Sequence, residues 1–559
     1  MSLQKIELPF DVELLPVHQL SAGNITCLYE AGNLRYIKYG GEEVVRMIYT
    51  AVRDENWATA PYEIENEVVE RNESSFLICY TAFYQLNDIR FKAKVRLEGK
   101  ENNLSFSMEG EALSDFQRNR IGICVLHPIR ECAGKGVIIT HPDDTTEEGV
   151  FPQLVSAHQP FKGIKKIQWR LTSAANALLE FEGDVFETED QRNWTDYSFK
   201  TYSTPLELPI PVRVNKGDSI NQKITLTLVE DKTGVLHHQP KERLPIVVKF
   251  PFPKLGYERD PRSPHLTDND IELLQQIPFD HYRVALNLSE PSWKDELRLA
   301  SSEATELDAK LELIVSSASF EENQLQELIE NFYEHASDIV SILLVEEGRK
   351  VSSVSVLQRS YGIIKAVLPK AKIGYGTDGF FAELNRNRPE QNLPFDFLNY
   401  SINPQVHAFD TRTIIENLAA QTETIRTVET FAPGKPIHIS PLTFKIRENK
   451  KSLSFARNDE DQRMYTSFGA MWTLLTIKNL AGAERITLYQ AKSYRGVLNE
   501  QIPMEKNRLY KALKKLKSFA PKFIVIDGNN NEHILVENES QELLISQSLP
   551  DTVCDGLRS

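Results

Sequence analysis

The first part of the chain alternates apolar and polar positions in short runs, from about residue 5 to residue 235. Examples are LRYIKY at residues 34–39, SFLICY at 75–80, FKAKVRL at 91–97 and LSFSM at 104–108. Alternation of this kind, with turn residues about every ten positions, is typical of antiparallel strands packed as a sandwich. This part therefore predicts an N-terminal β-sandwich, which the run INQKITLTLV at residues 220–229 closes as its last strand.

Prolines at positions 240, 245, 251 and 253 interrupt the chain, and the pattern then changes to apolar strands that alternate with amphipathic helices. The predicted strands cover residues 254–257, 282–288, 311–315, 340–345, 373–375, 397–402, 437–440 and 485–489. The helical runs between them include residues 268–276, 293–307, 323–336, 354–367, 412–430 and 461–479. Eight strands with intervening helices match a central TIM (β/α)8 barrel.

The end of the chain predicts a small C-terminal β module. After a last helix at residues 506–519, the runs FIVID at 523–527 and EHILVE at 532–537 flank Gly-Asn-Asn-Asn at 528–531, which is a hairpin pattern, and LLIS follows at 543–546. The predicted fold class is thus multidomain β and α/β. Its predicted domains are the sandwich at residues 1–245, the barrel at 246–520 and the β module at 521–559.

Composition narrows the choice of partners and location. A net charge of −15 and a pI near 5.5 disfavour nucleic acid and membranes as partners, because both attract clustered Lys and Arg. The start, MSLQKIELPF, has no basic region followed by an apolar core, so the expected location is the cytoplasm. The five cysteines are widely spread without a C-x-x-C pair, which indicates buried thiols. The oligomeric state stays open.

The most polar stretch is FEGDVFETEDQRNWTDYSFKTY, residues 181–202, with six carboxylates, two amides and a tryptophan. Grouped carboxylates repel one another unless cations, hydrogen bonds or a ligand offset the repulsion. Arg192 and Lys200 are the local cations. Composition alone leaves two interpretations open, a functional site and a polar loop between strands held by an arginine–carboxylate network.

This stretch resembles, nearly residue for residue, a signature of the D-apionate lactonase family, in which EGD-x-FE-x-EDQRNW-(S/T)-D-x-SFKTY precedes a proline-rich exit. Similar pieces follow the same order along the chain: RIGICVLHP at 120–128, HQPF at 158–161, GTDGFFAELNR at 376–386 and INPQVHA at 402–408. The resemblance implies hydrolysis of a branched-pentose lactone, D-apionolactone, to D-apionate in apiose catabolism.

Candidate catalytic residues follow from the barrel, because barrel enzymes place their chemistry at the carboxyl ends of the strands. The fourth predicted strand ends at Glu346 and Glu347, and neighbours on a strand point to opposite sides, so one of the two faces the barrel axis. The fifth leads to Asp378 and Glu383. Lactone hydrolysis needs a base that activates water and a proton for the leaving alkoxide, and these four carboxylates are predicted to supply them.

Other polar residues of the same rim are predicted to bind substrate. Asn403, His407 and Arg386 are candidates to polarise the carbonyl, and each equally fits a hydroxyl contact or a salt bridge that shapes the rim. The full predicted binding set is Asn385, Arg386, Asn403, His407 and Tyr489 in the barrel, with Asp190, Arg192 and Asn193 in the sandwich. Since those last three lie in another domain, we expect them at or beside the interface with the barrel.

A β-sandwich followed by a barrel also resembles, at the level of fold, a clan of retaining glycosidases with one glutamate after the fourth strand and a second after the seventh. Here the seventh strand, IHISPLTF at residues 437–444, supplies no carboxylate, and the double-displacement mechanism then lacks its nucleophile. A glycosidase with an unusual nucleophile, Asp378 or Glu383, stays an alternative. A noncatalytic carbohydrate-binding protein is another.

The sandwich offers weaker candidates. His127, His141 and His158 match no compact zinc motif, so no metal and no cofactor are expected. The sandwich also resembles sugar-mutarotase folds, which makes His127 with Glu189 or Asp190 a second catalytic candidate. G-x-S-x-G and phosphate-binding glycine loops are absent from the sequence. The preferred hypothesis is a cytoplasmic lactonase that opens a small-molecule sugar lactone with carboxylates at the barrel mouth.

Overall fold

The computed structural model describes residues 2–172, 175–230, 247–334, 338–447, 461–526, 532–550 and 553. Within these ranges the chain forms two nine-stranded sheets, a closed parallel barrel and a five-stranded sheet. The predicted fold class, with a sandwich, a TIM barrel and a small C-terminal β module, is confirmed. None of the helices in these ranges has both the length and the apolar character needed to span a membrane.

The N-terminal part is built almost entirely from strands, with one short helix, α1. In chain order its elements are β1 (Ser2–Leu8), β2 (His18–Ala22), β3 (Ile25–Glu30), β4 (Asn33–Tyr39), β5 (Glu42–Asp54), β6 (Tyr62–Arg71), β7 (Ser75–Leu86), β8 (Ile89–Lys100), β9 (Asn103–Ala112), β10 (Phe116–Pro128), α1 (Ile129–Cys132), β11 (Gly136–Thr140), β12 (Thr146–Val150), β13 (Phe161–Ile164), β14 (Lys166–Arg170), β15 (Ala175–Glu182), β16 (Phe186–Asp190), β17 (Ser198–Tyr202), β18 (Val212–Val214) and β19 (Ser219–Glu230).

These strands form the two layers of the sandwich. One layer has the order β13-β16-β17-β10-β5-β4-β3-β2 with β18 beside β10, and the other has the order β12-β11-β14-β15-β19-β9-β8-β7-β6. Successive side chains of a strand point to opposite faces, so Ile78, Tyr80 and Ala82 of β7 enter the core while their neighbours stay partly exposed. In β16 and β17 every residue is buried, which requires that both faces of these two strands are covered.

The barrel follows the predicted alternation of strands and helices. Its elements are β21 (Lys254–Glu258), α2 (Asp268–Gln275), β22 (His281–Asn287), α3 (Trp293–Glu306), β23 (Lys310–Ser317), α4 (Glu322–Glu334), β24 (Ile339–Glu346), α5 (Val354–Val367), β25 (Lys372–Phe380), α6 (Phe381–Arg386), β26 (Phe397–Ile402), α7 (Thr411–Glu416), α8 (Leu418–Phe431), β27 (Ile437–Leu442), α9 (Ser467–Asn479), β28 (Arg485–Lys492) and β29 (Gly496–Leu498). β20 (Val248–Pro251) precedes them. The strands are parallel and in sequence order, and pairing of β21 with β28 closes the barrel.

The eight predicted strands all exist, and two predicted helices are divided. The helix predicted at residues 412–430 is split into α7 and α8, which meet at Asn417. The helix predicted at residues 461–479 begins as a 3-10 turn, Gln462–Tyr465, and continues as α9 from Ser467. Thr466 ends the turn and caps α9, because its side chain accepts a hydrogen bond from the Gly469 amide.

The last sheet joins both ends of the chain. It contains β30 (Phe523–Ile526), β31 (His533–Glu537) and β32 (Gln541–Gln547), which follow α10 (Arg508–Phe519). Its order is β1-β32-β31-β30-β20, so one edge strand comes from the N-terminus and the other from the segment before the barrel. The predicted turn at residues 528–531 lies outside the described residues, and the predicted domain boundaries stay a prediction.

Buried ion pairs join the sandwich to the barrel. Arg35 of β4 lies 2.6 Å from Glu30 within the sandwich and 2.9 Å from Asp410, which caps α7 of the barrel. Arg412 of α7 in turn lies 2.6 Å from Glu30. Because each of these charges is desolvated, each needs its partner across the interface. The two domains are therefore held in one relative position by specific contacts.

Candidate active site

A row of alternating charges crosses the mouth of the barrel at the carboxyl ends of its strands. Arg283 of β22 is fully buried and donates hydrogen bonds to Glu258, the last residue of β21, and to Asp378 of β25. Arg447, which follows β27, donates from Nη1 to Asp378 Oδ2 at 3.0 Å and from Nη2 to the Asp378 carbonyl oxygen. The order is Glu258, Arg283, Asp378, Arg447, so each inner charge has two opposite neighbours.

This row borders a cavity of ≈ 160 Å³ at the barrel mouth. The polar residues that line it include Glu258, Lys445, Arg447, Asp461, Gln490 and Tyr494. Glu258 accepts from Arg283 with Oε1, and no described residue is found bonded to its Oε2, which can therefore contact a bound molecule. A carboxylate and guanidinium groups therefore meet in one cavity, which suits a reaction in which water loses a proton while an oxygen gains negative charge.

A bulge in the barrel wall positions Glu258. The pairing of β21 with β28 shifts register between Gly256 and Glu258, and Tyr489 at this point of β28 has a φ of +48°. A left-handed backbone is uncommon for a bulky residue, and bulges of this type turn side chains toward functional sites. The tyrosine hydroxyl lies 2.6 Å from Thr473 Oγ1, which fixes the ring. Tyr489 therefore helps to aim Glu258 at the cavity.

A polar layer lies inside the barrel at the level of Arg283. Glu312 of β23 is buried beside Arg283 in the strand register and accepts from Thr487 Oγ1 at 3.1 Å. Its carboxylate also lies 3.3 Å from His438. Burial alone would raise the pKa of Glu312, but His281, His438 and the hydroxyl groups around it hold that pKa well below its usual range. Glu312 therefore supplies a negative charge near the guanidinium of Arg283.

Burial also acts on Arg283 itself. Desolvation lowers the pKa of its guanidinium, and the nearby carboxylate of Asp378 opposes that shift. A buried arginine of this kind is stable only with its carboxylate partners in place. Glu258 and Asp378 are therefore bound to Arg283 as one unit.

Three of the four predicted catalytic carboxylates lie away from this row. Glu346 pairs with Arg349 at 2.7 Å, Glu383 pairs with Lys350 at 3.3 Å, and Glu347 is exposed after the end of β24. Only Asp378 is in the row.

The predicted binding residues that follow β26, Asn403 and His407, have two different positions. Asn403 donates to Thr443, a residue of the cavity wall, at 2.8 Å and accepts from the Gln405 amide. His407 points instead toward the sandwich, where its Nδ1 lies 2.5 Å from Asp196 Oδ2.

Asp190, Arg192 and Asn193 of the polar stretch lie at the interface between sandwich and barrel, as the sequence predicts. Asp190 ends β16 and caps a 3-10 turn, Gln191–Trp194, by accepting from the Arg192 amide. The side chain of Arg192 binds Asp190 at 2.7 Å and lies 3.4 Å from Glu423 of α8. Asn193 accepts from Asn385 of α6 at 2.9 Å.

Trp194 also contacts the barrel. The guanidinium of Arg386 lies over its ring at 5.0 Å, and the ring of His407 meets it edge-on at 5.4 Å. Arg386 also donates to the Ala157 carbonyl at 3.0 Å. Asn385 and Arg386, both predicted to bind substrate, therefore contact the sandwich.

The structure does not bring His127 together with Glu189. His127 is buried in the sandwich core between Phe151 and Trp169, and its Nε2 lies 2.8 Å from Thr201 Oγ1. Burial lowers the pKa of His127 to about 3. Glu189 pairs with Lys200, which precedes Thr201 on β17 and so points to the opposite face. The mutarotase-like pairing of these two residues is wrong.

Gly376 gives Asp378 its position, and we expect Gly376→Ala to destabilise the protein by about 1–3 kcal/mol. Its φ is +149°, and an added Cβ would lie 2.2 Å from the Asn399 carbonyl oxygen. The melting temperature of Gly376→Ala, compared with that of the wild type, measures this loss of stability. Gly362→Ala is the control, because nothing lies within 4 Å of an added Cβ there, and it should be neutral or slightly stabilising. Equal melting temperatures for the two variants would contradict the expected clash.

The pair of Asp196 and His407 predicts a pH effect on stability. Burial, with Glu189, raises the pKa of Asp196 to about 8 against the pull of Lys200 and Arg53. Burial and the same two cations lower the pKa of His407 well below its usual range. Between pH 6.5 and 8 the folded carboxyl therefore holds a proton that the unfolded one has lost, so stability falls as pH rises. Between pH 6.5 and 8 we expect the melting temperature of Asp196→Asn to fall less than that of the wild type. Asp88→Asn, at an exposed position, is the control and should follow the wild type.

The sequence did not point to three residues of the charged row. Arg283 is a charge directly before the apolar run VAL in the middle of β22, which is a signal that could have been followed. Glu258 closes the first strand, as Glu346 closes the fourth, and nothing in the local pattern separates their roles. Arg447 follows the seventh strand without any motif of its own.

Comparison with known proteins gives two matching family models. The chain matches "D-apionate lactonase, N-terminal domain" over residues 10–231 and "D-apionate lactonase, TIM barrel domain" over residues 255–522. It is also similar to the D-apionate lactonase of Brucella anthropi, with 29% identity over 471 residues that cover 81% of this chain and 77% of the relative.

Similar solved structures include two glycoside hydrolases. A family 39 enzyme from Bacteroides cellulosilyticus WH2 has 12% identity, a TM-score of 0.36, and coverage of 73% of this chain and 82% of that one. An α-galactosidase from Geobacillus stearothermophilus has 10% identity, a TM-score of 0.28, and coverage of 93% and 91%. Likeness at these TM-scores supports no conclusion about this chain.

Proposed function

The chain belongs to the D-apionate lactonase family, and from this premise we propose that it hydrolyses D-apionolactone to D-apionate at the mouth of its barrel. The observation that supports this site is that Glu258 and Arg447 line one cavity and are linked through Arg283 and Asp378. The cavity lies at the carboxyl ends of the barrel strands, where barrel enzymes carry out their chemistry.

In the proposed reaction, Glu258 is the general base. Its free carboxylate oxygen takes a proton from water, and the water oxygen forms a bond to the lactone carbonyl carbon. The carbonyl oxygen becomes an oxyanion, which the guanidinium of Arg447 stabilises. The bond between the carbonyl carbon and the ring oxygen then breaks, and protonated Glu258 returns its proton to the leaving alkoxide. The new acid loses its proton to solvent and leaves as a carboxylate.

The other residues of the row have positioning roles in this scheme. Asp378 holds Arg447 through both its side chain and its carbonyl oxygen. Arg283 holds Glu258 and Asp378 at a fixed separation, so that base and oxyanion partner face the same bound ring. Fixed geometry of this kind removes much of the entropic barrier to reaction.

The residues predicted from the sequence divide between this site and its surroundings. We propose that Asn403, which is buried and donates to Thr443 Oγ1, positions this residue of the cavity wall and does not itself contact substrate. We assign Glu346, Glu347 and Glu383 to the rim, since two of them already pair with rim cations. The predicted cytoplasmic location stays a prediction, which cell fractionation would test.

The test is hydrolysis of D-apionolactone beside other aldonolactones, followed as acid release in a pH-stat. We expect acceleration over buffer, and the largest effect with D-apionolactone. If none of the lactones is hydrolysed faster than in buffer, the proposed function is wrong. Preference for another aldonolactone would retain the reaction and change the substrate.

A further inference from the structure

A second cavity, of ≈ 140 Å³, lies between the sandwich and the barrel. Its polar lining includes Tyr49, Gln191, Asp196, His407, Glu416 and Asn417. None of the residues lining this cavity also lines the cavity at the barrel mouth. Its wall combines β5 of the sandwich, the stretch at residues 191–198 and the segment around α7 of the barrel. It is therefore a separate compartment that exists only when the two domains are packed together.

Gln191 lines this cavity and carries a donor without a partner among the described residues. The residue is buried, with 1% of its surface exposed, and its Oε1 accepts from Ser198 at 3.0 Å. Its Nε2 is buried and has no hydrogen-bond partner among the residues that the structure describes. A buried amide group left unpaired costs about 1–3 kcal/mol, so a bound molecule that accepts its hydrogen bond would be stabilised here.

Asp196 and His407 supply a second polar feature. Asp196 Oδ1 accepts from Asn417 Nδ2 at 2.7 Å, and its Oδ2 contacts His407 Nδ1. Both carboxylate oxygens are thus engaged within the wall. Nε2 is then the imidazole nitrogen that can meet a ligand, and its partner on Nδ1 fixes the orientation of the ring.

The charges around the cavity are paired with one another. Arg46 pairs with Glu43 and lies 3.4 Å from Glu416, and Lys200 pairs with Glu189. The remaining wall is largely apolar or aromatic, with Met47 and Leu126 among its residues. Arg46 and Glu416 of the described lining are paired, and Arg53, which is near enough to act on Asp196 and His407, does not line the cavity. A lining of hydrogen-bonding groups, apolar surface and paired charges favours an uncharged ligand with hydroxyl groups, because an ion would lose its hydration without gaining a free counter-ion in the wall.

The size of the cavity limits the ligand. An apolar cavity of roughly 150 Å³ holds one benzene ring, so this one has room for a molecule of about five carbon atoms. The partly exposed Phe409 lines the same cavity and provides contact with solvent.

We propose that this interdomain cavity is a second binding site, which takes a small uncharged polyol or sugar and binds its hydroxyl groups through Gln191 Nε2 and His407 Nε2. Binding there would favour the packed arrangement of the two domains, because groups from both domains contact the ligand. The site does not depend on the reaction proposed at the barrel mouth.

The test is isothermal titration calorimetry with erythritol and D-apiose as probes, on the full chain. We expect Gln191→Leu to weaken binding by about tenfold, the effect of one lost hydrogen bond with its buried partner unpaired. His407→Gln should weaken binding as well. Gln168→Leu is the matched control, since Gln168 lies on β14 of the other sandwich sheet and does not line the cavity. Glu258→Gln should keep the wild-type affinity.

Two outcomes would overturn the proposal. One is equal affinity in Gln191→Leu and Gln168→Leu, and the other is no binding by the wild-type protein. If the variants fail to fold, a wild-type crystal soaked with erythritol tests the proposal instead. Erythritol within hydrogen-bonding distance of Gln191 Nε2 would support it, and its absence from the cavity would overturn it. The two proposals can fail separately. If the wild-type protein hydrolyses no lactone but binds erythritol, and Gln191→Leu weakens that binding, the second site is supported and the proposed function is wrong.

Discussion

Replacing Glu258 with glutamine is expected to lower kcat for lactone hydrolysis by about 10²–10⁴-fold, with a much smaller change in KM. Glutamine keeps the size of the side chain and can still accept from Arg283, but it cannot take a proton from water. A base that acts only in the transition state affects kcat more than the binding of substrate. Steady-state kinetics with D-apionolactone in a pH-stat give both constants.

Three further glutamate variants make this result specific. Glu272→Gln, on the exposed side of α2, is the control for the chemical change alone and should keep full activity. Glu346→Gln and Glu383→Gln test the rim carboxylates that the sequence pattern favours. If either rim variant loses activity while Glu258→Gln keeps it, the base has been assigned to the wrong residue.

The barrel could be predicted strand by strand because its signal is local. Strands buried on both faces appear as short apolar runs, and the predicted strand at residues 397–402 coincides with β26. Helix divisions were less predictable. The break between α7 and α8 at Asn417 depends on where Asp410 caps the first helix and on contacts that Asn417 makes with Asp196 of the sandwich.

Strand partners in the sheets could not be predicted in the same way. β1 pairs with β32, although more than five hundred residues separate Ser2 from Gln541. Nothing in the alternation along either strand names the other one, because the pattern fixes only which face is buried. A strand partner is decided by how whole domains pack.

The charged row at the barrel mouth could not be predicted from the sequence for the same reason. Glu258, Arg283 and Asp378 lie on three strands, and their meeting depends on closure of the barrel and on the bulge at Tyr489. Glu346 looked equivalent to Glu258 in the sequence, yet Arg349, three residues further on, pairs with it at the rim. The polar stretch was different, because the expectation that Asp190, Arg192 and Asn193 lie at the interface followed from the domain order, and Arg192 and Asn193 do contact the barrel.

Within that stretch, Arg192→Met is expected to lower the melting temperature by about 3–10 °C, from a loss of about 3–5 kcal/mol. The guanidinium is fully buried and donates to Asp190 from Nε at 2.9 Å and from Nη2 at 2.7 Å. It also donates to the carbonyl oxygens of Gln153, Pro152 and Leu154 at 2.9, 2.9 and 3.1 Å. Methionine has a similar length but removes the counter-ion of the buried Asp190, to which only the Arg192 and Ser156 amides would still donate, and it removes the donor to three carbonyl groups.

Differential scanning calorimetry on two further variants separates this cause from a general effect of losing an arginine. Arg213→Met removes an exposed arginine, 3.4 Å from Asp115, and should change the melting temperature by very little, because exposed ion pairs contribute about 0–1 kcal/mol. Asp190→Asn combined with Arg192→Met should be more stable than Arg192→Met alone, since the unpaired buried charge is then gone. If the double variant melts no higher than the single one, the lost carbonyl contacts dominate. If Arg192→Met melts as the wild type does, the stretch is not the brace between sandwich and barrel that its contact with Glu423 of α8 indicates.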